Sequence, residues 1–309
     1  MATTTQSLNT TPNPGWQAFI KHSLVLMKSY TWFAPAWAFV VGCIASHAID
    51  VTSGVLPAVF SIGKIAIGTL MAGPLLTGFS QVINEWCDRE VDAINQPERL
   101  IPSGKVGRTQ VIITLMVLAA GALAIAAFLG ANVAWVALLG MALALAYSAP
   151  PVRLKQNGWV SNLACAIAYE SLAWIAGHLA FAPITSHSLI LALVYGLGVH
   201  GVMTINDFKS VKGDRMMKLN SIPALYGEQK AAWIAVITIN AAQLIALALM
   251  ALWGFHWLVL LVCALFILAQ LRPQVQLIKD PTQKMAVRYN IIAIPPYVWG
   301  MLVAAIGMK

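Results

Sequence analysis

Long apolar runs alternate with short polar segments along the chain, and this pattern predicts a helical membrane protein. A helix needs about 20 mostly apolar residues to cross the hydrocarbon core of a bilayer. No run alternates polar and apolar residues as the strands of a membrane barrel do. The runs predict nine spans, near residues 30–48, 65–83, 109–129, 132–149, 159–181, 188–205, 231–252, 256–271 and 290–307. We therefore expect an all-α integral membrane protein with nine transmembrane helices.

The composition agrees with this fold class. Of the 309 residues, 59% are hydrophobic and only 10% are charged, and the mean hydropathy is +0.76. These values are typical of membrane proteins rather than soluble domains. The first residues lack the basic-then-apolar layout of a signal peptide. We expect residues 1–20 to form a polar N-terminal tail, and residues 21–309 to form one nine-helix domain with an uncleaved first span.

The basic residues predict the orientation of the chain. With nine spans, all but Lys64 and Lys309 of the 19 lysines and arginines fall on one side of the membrane. Basic loops mark the cytoplasmic side, so the N-terminus and the polar loops should be cytoplasmic. Topology then accounts for the net charge of +8, and we expect no nucleic acid among the partners.

Two short acidic stretches at the ends of apolar runs carry the candidate chemistry. In the first, Asn84, Asp88 and Asp92 are spaced four residues apart, which on a helix places them along one face. The second stretch contains Asn206, Asp207 and Asp214, and the seven-residue spacing of its two acids would place them on one face of a helix. Oxygen-bearing side chains at two span ends on one side of the membrane predict a site for a hard cation. Mg²⁺ usually takes one or two carboxylates together with substrate phosphates.

Basic side chains lie on the same side as these acids. They are Arg99, Lys105, Arg153, Lys155 and Lys209, and Tyr147 lies at the end of the fourth span. Such groups would neutralise a diphosphate whose other oxygens bind the metal. The alternative is a set of solvated loops whose charges pair with one another or only set the topology. The recurrence of the acidic stretches at one membrane face favours the diphosphate site.

These motifs resemble those of the UbiA superfamily of membrane prenyltransferases. The first stretch reads NEWCDREVD over residues 84–92, and a Pro-x-Arg-x-Ile-Pro-Ser-Gly segment follows it. The second reads NDFKSVKGDR over residues 206–215, and a third motif reads YSAPPVRLKQNGW over residues 147–159. Within the superfamily these segments are similar to the chlorophyll synthase branch, and NEWCDR resembles its bacteriochlorophyll synthases. The similarity extends from about residue 20 to the C-terminus.

The resemblance implies a fold, a reaction and a set of ligands. It implies nine helices around a central cavity capped by two acidic loops. The reaction would be Mg²⁺-dependent transfer of a C20 prenyl group from geranylgeranyl or phytyl diphosphate to the C17 propionate of bacteriochlorophyllide a. The metal ligands would be Asn84, Asp88, Asp92, Asp207 and Asp214, and the four acids among them would be the catalytic residues. The substrate-binding residues would be Asn84, Arg99, Lys105, Tyr147, Arg153, Lys155, Glu170, Asn206 and Lys209.

The resemblance also implies a location and partners. The protein would lie in the bacterial inner, photosynthetic membrane, with lipid and pigment-assembly proteins around it. Three residues depart from the pattern of the branch. Leu100 and Ala173 stand where proline is usual, and Lys212 stands where an acid is expected. The second acidic stretch would then have Asp207 and Asp214 as its only carboxylates.

Glu170 differs from the other acids, because it falls inside the fifth predicted span. An intramembrane carboxyl is costly and indicates a function, although a hydrogen-bonded structural role is the alternative. With a propionate acceptor, Glu170 would orient the pigment through a hydrogen bond or through its central magnesium. With a phenolic acceptor it would be a candidate base. His178 and His200 are further candidates for an axial ligand of a tetrapyrrole metal.

Two alternatives to this function remain at the level of the sequence. The acceptor could be chlorophyllide a, protohaem or a hydroxylated aromatic acid instead of bacteriochlorophyllide a. The protein could also be a cation-coupled transporter. Transporters place their acids near the middle of the bilayer at broken helices, whereas the acids here cluster at span ends on one face. The sequence therefore favours the enzyme.

Overall fold

The computed structural model of the chain describes residues 15–49, 54–216 and 219–308. Their regular structure is helical, apart from one isolated bridge between Asn157 and Asn220, so the all-α prediction is confirmed. The helices are α1 (Trp16–Leu26), α2 (Phe33–Ala45), α3 (Val55–Leu70), α4 (Gly78–Asn95), α5 (Arg108–Leu129), α6 (Ala131–Ser148), α7 (Gly158–Ala166), α8 (Leu172–Leu179), α9 (Ser186–Asn206), α10 (Val211–Met216), α11 (Ile222–Tyr226), α12 (Glu228–Leu252), α13 (Trp257–Lys279) and α14 (Gln283–Ile306).

The predicted count of nine spans is not confirmed. Within the described residues, seven helical segments are long and apolar enough to cross a membrane. The bent pair Trp16–Thr31 and Phe33–Ala45 makes eight if it is one span. The remaining predicted span, 159–181, coincides with a stretch that is helical from Gly158 to Leu179, through a π-helical turn at Ile167–Ser171. Polar residues such as Asn162 and Glu170 lower the hydropathy of this stretch.

The second span is a much longer helix than the apolar run predicted. Helices α3 and α4 are joined by a π-helical segment, Met71–Thr77, that contains Pro74, and together they form a 40-residue helical segment from Val55 to Ile94. A proline and a π-type insertion are common causes of a local change in a helix. The first acidic stretch therefore lies on the final turns of this helix rather than in a loop.

The N-terminal part of the chain also differs from its prediction. Residues 1–14 lie outside the described residues, and α1 begins at Trp16, within the segment predicted as a polar tail. The helix axis then turns by 62° before α2. Lys28, shortly before this bend, has a left-handed backbone (φ 46°), and its side chain reaches Glu85 on α4.

Close helix packing builds the wall of the molecule beside the second acidic stretch. Helix α9 packs along α12, where a Cβ on Gly201 would lie 2.6 Å from the carbonyl oxygen of Ala235. Helix α2 packs against α8 through two glycines, Gly42 and Gly177, at which backbone meets backbone. Small residues at such contacts allow membrane helices to approach closely. The fully buried Trp174 joins α8 to α9, because its indole N–H donates to the hydroxyl of Ser188 at 3.0 Å.

Candidate active site

A cavity of about 810 Å³ lies between the helices and collects nearly all the candidate residues. Every candidate for metal, diphosphate or substrate binding lines it except Lys105, whereas the two candidate axial ligands, His178 and His200, do not. The lining candidates are Asn84, Asp88, Asp92, Arg99, Tyr147, Arg153, Lys155, Glu170, Asn206, Asp207, Lys209 and Asp214. Two acidic stretches that are more than 100 residues apart along the chain therefore line the same cavity.

Asp88 carries two cations on a single oxygen. Its Oδ1 accepts from Lys155 Nζ at 2.5 Å and from Arg153 Nη2 at 3.1 Å. Both basic residues come from the loop between α6 and α7, in which Arg153 has a left-handed backbone (φ 39°). Burial lowers the pKa of Lys155 from its ordinary value, and the carboxylate of Asp88 opposes that shift. The third sequence motif is thus tied directly to the first.

A second ion-pair network lies beside Asp92. Arg99 donates to Asp92 Oδ2 at 2.7 Å and lies 3.4 Å from Glu85 Oε1, while Lys28 is paired with the same Glu85 oxygen at 2.6 Å. Burial lowers the pKa of Arg99, but the carboxylates of Glu85, Asp92 and Asp88 raise it by more, so the net shift is upward. The guanidinium therefore stays charged at the cavity.

The carboxylates of the second acidic stretch are held by neutral donors instead of cations. Asp207 Oδ2 accepts from Asn162 Nδ2 at 3.2 Å, and Asp214 Oδ2 accepts from the hydroxyls of Ser210 (2.9 Å) and Ser221 (2.6 Å). The sequence argument placed Asp207 and Asp214 on one helix, but this was wrong. A 3₁₀ turn at Asp207–Lys209 separates α9 from the short α10.

Two further lining candidates, Asn206 and Tyr147, have side-chain partners on neighbouring elements. Asn206 Oδ1 accepts from Asn290 Nδ2 on α14 at 2.7 Å, which joins the second acidic stretch to the last helix. The hydroxyl of Tyr147 lies 3.5 Å from that of Ser161. Lys209 lines the cavity close to Asp207 on the same turn. These contacts fix the polar wall opposite the first stretch.

The structure places several residues outside the cavity. Lys105 follows a turn at Gly104 (φ 75°) and is exposed, so it is not positioned to bind a substrate there. Lys212 is exposed and does not line the cavity either. The loss of an expected acid at that position therefore removes nothing from the lining. Of the other two departures, Leu100 packs in the core beside α4, and Ala173 lines the cavity.

The two histidines proposed as axial ligands are not suited to that role. Both ring nitrogens of His178 are engaged, by the Ser188 hydroxyl (2.9 Å) and the Pro183 carbonyl (3.2 Å). His200 is buried, stacks on Trp159 with ring centroids 5.4 Å apart, and does not line the cavity.

The carboxylates fit a metal that is shared with a substrate better than a closed protein cage. Within the described residues, no group of three or more His, Cys, Asp or Glu side chains is arranged to hold a metal. One oxygen each of Asp88, Asp92, Asp207 and Asp214 is engaged by a neighbour, and no described residue bonds the other. Mg²⁺ commonly combines one or two carboxylates with phosphate oxygens. The donor set therefore fits a magnesium–diphosphate complex.

Three contributors to the site were missed in the sequence. Lys28 lines the cavity but served only as a topology signal, and Glu85 was passed over within the first motif. Asn162 supports Asp207 and also donates to Thr204 Oγ1 at 3.2 Å. A polar side chain inside an apolar run is itself a signal of function, so Asn162 could have been found.

Comparison with known proteins assigns the chain to a family. The model of the UbiA prenyltransferase family matches residues 40–291. The chain belongs to the UbiA prenyltransferase family. This membership confirms the resemblance of the acidic stretches, and it makes the protein a multi-pass membrane enzyme that transfers prenyl groups.

Within the UbiA family, the chain is similar to enzymes named as bacteriochlorophyll and chlorophyll synthases. The bacteriochlorophyll synthase 34 kDa chain of Chloroflexus aurantiacus is 49% identical over 94% of this chain and 91% of its own. The chloroplastic chlorophyll synthase of Arabidopsis thaliana is 38% identical over 94% of this chain and 75% of its own. A solved UbiA homolog from Archaeoglobus fulgidus, bound to GPP and Mg²⁺, has a TM-score of 0.69 at 18% identity, covering 92% of this chain and 99% of that one. That likeness establishes the shared fold.

Proposed function

We propose that this UbiA-family enzyme esterifies the C17 propionate of bacteriochlorophyllide a with a C20 prenyl group from geranylgeranyl or phytyl diphosphate. The cavity is the observation that carries the proposal, because it joins a wall of acids and bases to an otherwise largely apolar lining. The 49% identity to a bacteriochlorophyll synthase, against 38% to a chlorophyll synthase, favours bacteriochlorophyllide over chlorophyllide a as the acceptor.

The charged part of the cavity is suited to the diphosphate. Arg99, Arg153 and Lys155 are held there by carboxylates and would turn to the phosphate oxygens as these carboxylates engage the metal. The residues that would hold Mg²⁺ are Asn84, Asp88, Asp92, Asp207 and Asp214. Bound there, the ion would supply charge to stabilise the leaving diphosphate. The relative from Archaeoglobus fulgidus, solved with GPP and Mg²⁺, supports this use of the family fold.

The reaction is a substitution at the first carbon of the prenyl chain. The allylic C–O bond breaks and its electron pair leaves with the diphosphate, where Arg99, Arg153 and Lys155 stabilise the growing charge more than they stabilise the ground state. A propionate oxygen forms the new ester bond to that carbon. Carboxyl groups of this type titrate near pH 4–5 and are already ionised near pH 7, so no base is needed. The apolar walls keep water from the allylic cation.

We place the charged end of the cavity on the cytoplasmic side of a photosynthetic bacterial membrane. Lys64 and Asp88 lie 24 residues apart on one helical segment, which corresponds to about 36 Å at 1.5 Å per residue. Lys64 therefore lies at the opposite end of the molecule from the acids, in agreement with the basic-loop rule. Lipid and pigment-assembly proteins would be the neighbours in that membrane.

The proposal is tested with purified protein in detergent. Bacteriochlorophyllide a and chlorophyllide a are incubated separately with Mg²⁺ and either geranylgeranyl or phytyl diphosphate, and the products are separated by chromatography with absorbance detection. We expect ester in the bacteriochlorophyllide tubes and none after chelation of Mg²⁺.

The rates of ester formation in the separate tubes identify the preferred pigment and the preferred prenyl diphosphate. A faster reaction with chlorophyllide a would transfer the proposal to that acceptor. Absence of ester from every tube, with protein that still unfolds cooperatively on heating, would overturn a tetrapyrrole acceptor altogether. Hydroxylated aromatic acids would then be the next acceptors to assay.

A further inference from the structure

Glu170 is the one carboxyl of the cavity that no described side chain holds. Only 4% of the residue is exposed, it lines the cavity, and its Oε1 has no hydrogen-bond partner among the described residues. It lies in the π-helical turn Ile167–Ser171 between α7 and α8, and such turns occur frequently at functional sites. A buried acid without a partner is costly, so a bound molecule is expected to supply one.

The basic residues that line the cavity do not account for Glu170. Those with recorded partners, Lys28, Arg99, Arg153 and Lys155, bind Glu85, Asp92 and Asp88. The hydroxyl of Tyr297 lines the same cavity, but it donates to the carbonyl of Tyr195. The neighbours of Glu170 on α8 that line the cavity are Leu172, Ala173 and Ala176, which offer no polar group.

The position of Glu170 separates it from the diphosphate. Glu170 lies twelve positions after Gly158, where α7 begins, a rise of about 18 Å. Arg153 and Lys155 precede that helix start, so Glu170 lies well below the charged end of the cavity. The prenyl chain is a hydrocarbon and has no group for a carboxyl to bind. The acceptor is therefore the substrate that Glu170 faces.

The acceptor offers one cation to such a group. A bacteriochlorophyllide is a flat, mostly apolar ring with a central Mg²⁺ that can take an axial ligand, and Mg²⁺ prefers oxygen donors. Histidine is the commonest metal ligand among side chains, but none lines the cavity within the described residues. An apolar wall with one unpartnered carboxyl matches a flat ring that carries one central cation.

We propose that Glu170 is the axial ligand of the central magnesium of the tetrapyrrole, and that this contact selects metallated pigments and orients the ring. This inference rests on the proposed function. It assigns Glu170 to acceptor specificity, whereas the acidic stretches serve the prenyl diphosphate. Loss of the carboxyl should therefore weaken binding of the tetrapyrrole acceptor and leave binding of the prenyl diphosphate unchanged.

The test compares Glu170→Leu and Glu170→Gln with the unchanged protein on three acceptors, namely the magnesium pigment, its zinc-substituted form and its metal-free form. Leu172→Ala is the matched control, since it removes an apolar contact from the same cavity wall. KM and kcat are measured for each acceptor and for the prenyl diphosphate. Absorbance spectra of bound pigment without donor report the number of axial ligands on the metal.

We expect Glu170→Leu to raise KM for the magnesium and zinc pigments by roughly 10- to 100-fold, the range for losing one contact to a charged group. KM for the metal-free pigment and for the prenyl diphosphate should stay unchanged, and Glu170→Gln should be intermediate. Leu172→Ala should weaken all three pigments equally. In Glu170→Leu, the bound magnesium pigment should also show the spectrum of a ring that has lost an axial ligand.

The preference for metallated over metal-free pigment is a ratio within each variant, so it does not depend on how much of the variant folds. An equal loss on all three pigments, with Glu170→Gln near normal, would instead mean a hydrogen bond to the ring edge and would overturn the inference. An unchanged preference in both Glu170 variants would overturn it as well. Failure of the unchanged protein to esterify any tetrapyrrole would instead refute the proposed function.

Discussion

Asp88, in the first acidic stretch, binds the two basic residues of the loop between α6 and α7. Asp88 Oδ1 accepts from both Arg153 and Lys155, so the carboxylate balances only one of two positive charges at that point. Truncating one partner of such a network leaves the others uncompensated. The surplus positive charge faces the cavity and is suited to an incoming diphosphate.

We expect Asp88→Asn to lower kcat/KM by about 100-fold or more, the range found on removing one group that stabilises developing charge. The amide keeps the shape of the side chain but loses the charge that a metal needs. The measurement is steady-state esterification by protein whose thermal unfolding in detergent has been checked. Glu90→Gln is the control, because Glu90 is exposed on the same helix, does not line the cavity and pairs with Arg89 at 2.9 Å. Near-normal turnover by Asp88→Asn would remove Asp88 from the metal site.

Sequence spacing could predict which acidic and basic residues lie near one another, but not which of them form ion pairs. The four-residue spacing placed Asn84, Asp88 and Asp92 correctly because it depends only on one helix. The pairing of Lys28 with Glu85 joins residues 57 positions apart, on two helical segments that are far apart in the chain. Such tertiary contacts leave no local pattern in the sequence.

Helices α2 and α8 illustrate how element packing depends on individual glycines. A Cβ on Gly42 would overlap the backbone carbonyl of Trp174, and a Cβ on Gly177 would overlap that of Phe39. The contact is therefore reciprocal, with one glycine from each helix facing the backbone of the other. Because the obstacles are main-chain atoms, rotation of a side chain cannot make room.

We expect Gly177→Ala to destabilise the protein by about 1–3 kcal/mol, the usual result of overpacking a close contact. Thermal unfolding in detergent should show a lower midpoint. Gly63→Ala on α3 is the matched control, since a Cβ there meets no atom within 4 Å and alanine favours the helix. Equal midpoints for the two variants would mean that α2 and α8 separate easily.

At the scale of elements, apolar runs predicted where helices lie but not how far they continue. The second span was expected to begin near residue 65, immediately after Lys64, whereas the helix begins at Val55. The structure accommodates Lys64 by letting its ammonium donate to the Ala180 carbonyl at the end of α8 (2.5 Å) and lie 4.5 Å above the ring of Phe181. A cation at a helix C-terminus is favourable, so the helix continues through it.

The two polar loops of the molecule are fastened to each other at one point. The N–H of Gly158 donates to the Asn220 carbonyl at 2.8 Å, and the N–H of Asn220 donates to the Gln156 carbonyl at 3.2 Å. This junction joins the loop that carries Arg153 and Lys155 to the region after the second acidic stretch. These two hydrogen bonds fix the position of the Arg153–Lys155 side of the cavity relative to the side that carries Asp207 and Asp214.

We expect Gly158→Ala to lower kcat/KM by about tenfold, the scale of a small misplacement of binding groups. A Cβ at this position would lie 2.6 Å from the carbonyl oxygen of Asn220 and would force the two loops apart. Gly213→Ala is the control, because a Cβ there meets nothing within 4 Å. An unchanged rate for Gly158→Ala would show that the loops need not stay joined during turnover.

At the scale of the whole molecule, the span count was the least predictable feature. The stretch from Gly158 to Leu179 is helical throughout, yet it carries Asn162, Glu170 and His178, each of which lies buried. Hydropathy measures affinity for lipid, whereas these residues face protein neighbours or the cavity. The polar residues that a site requires lower the hydropathy of the helix that carries them, so such a helix can fall below the hydropathy typical of a membrane span.

The continuous helical segment from Val55 to Ile94 gives the two acidic stretches different mechanical roles. Asp88 and Asp92 lie on a long helix whose backbone freedom was already lost on folding, about 1–2 kcal/mol per residue. Asp207 and Asp214 lie on either side of a break between a 3₁₀ turn and a six-residue helix. Ordering of the chain on ligand binding should therefore fall on the second stretch. We therefore expect Asp88 and Asp92 to keep their positions when a ligand binds, and Asp207 and Asp214 to adjust to it.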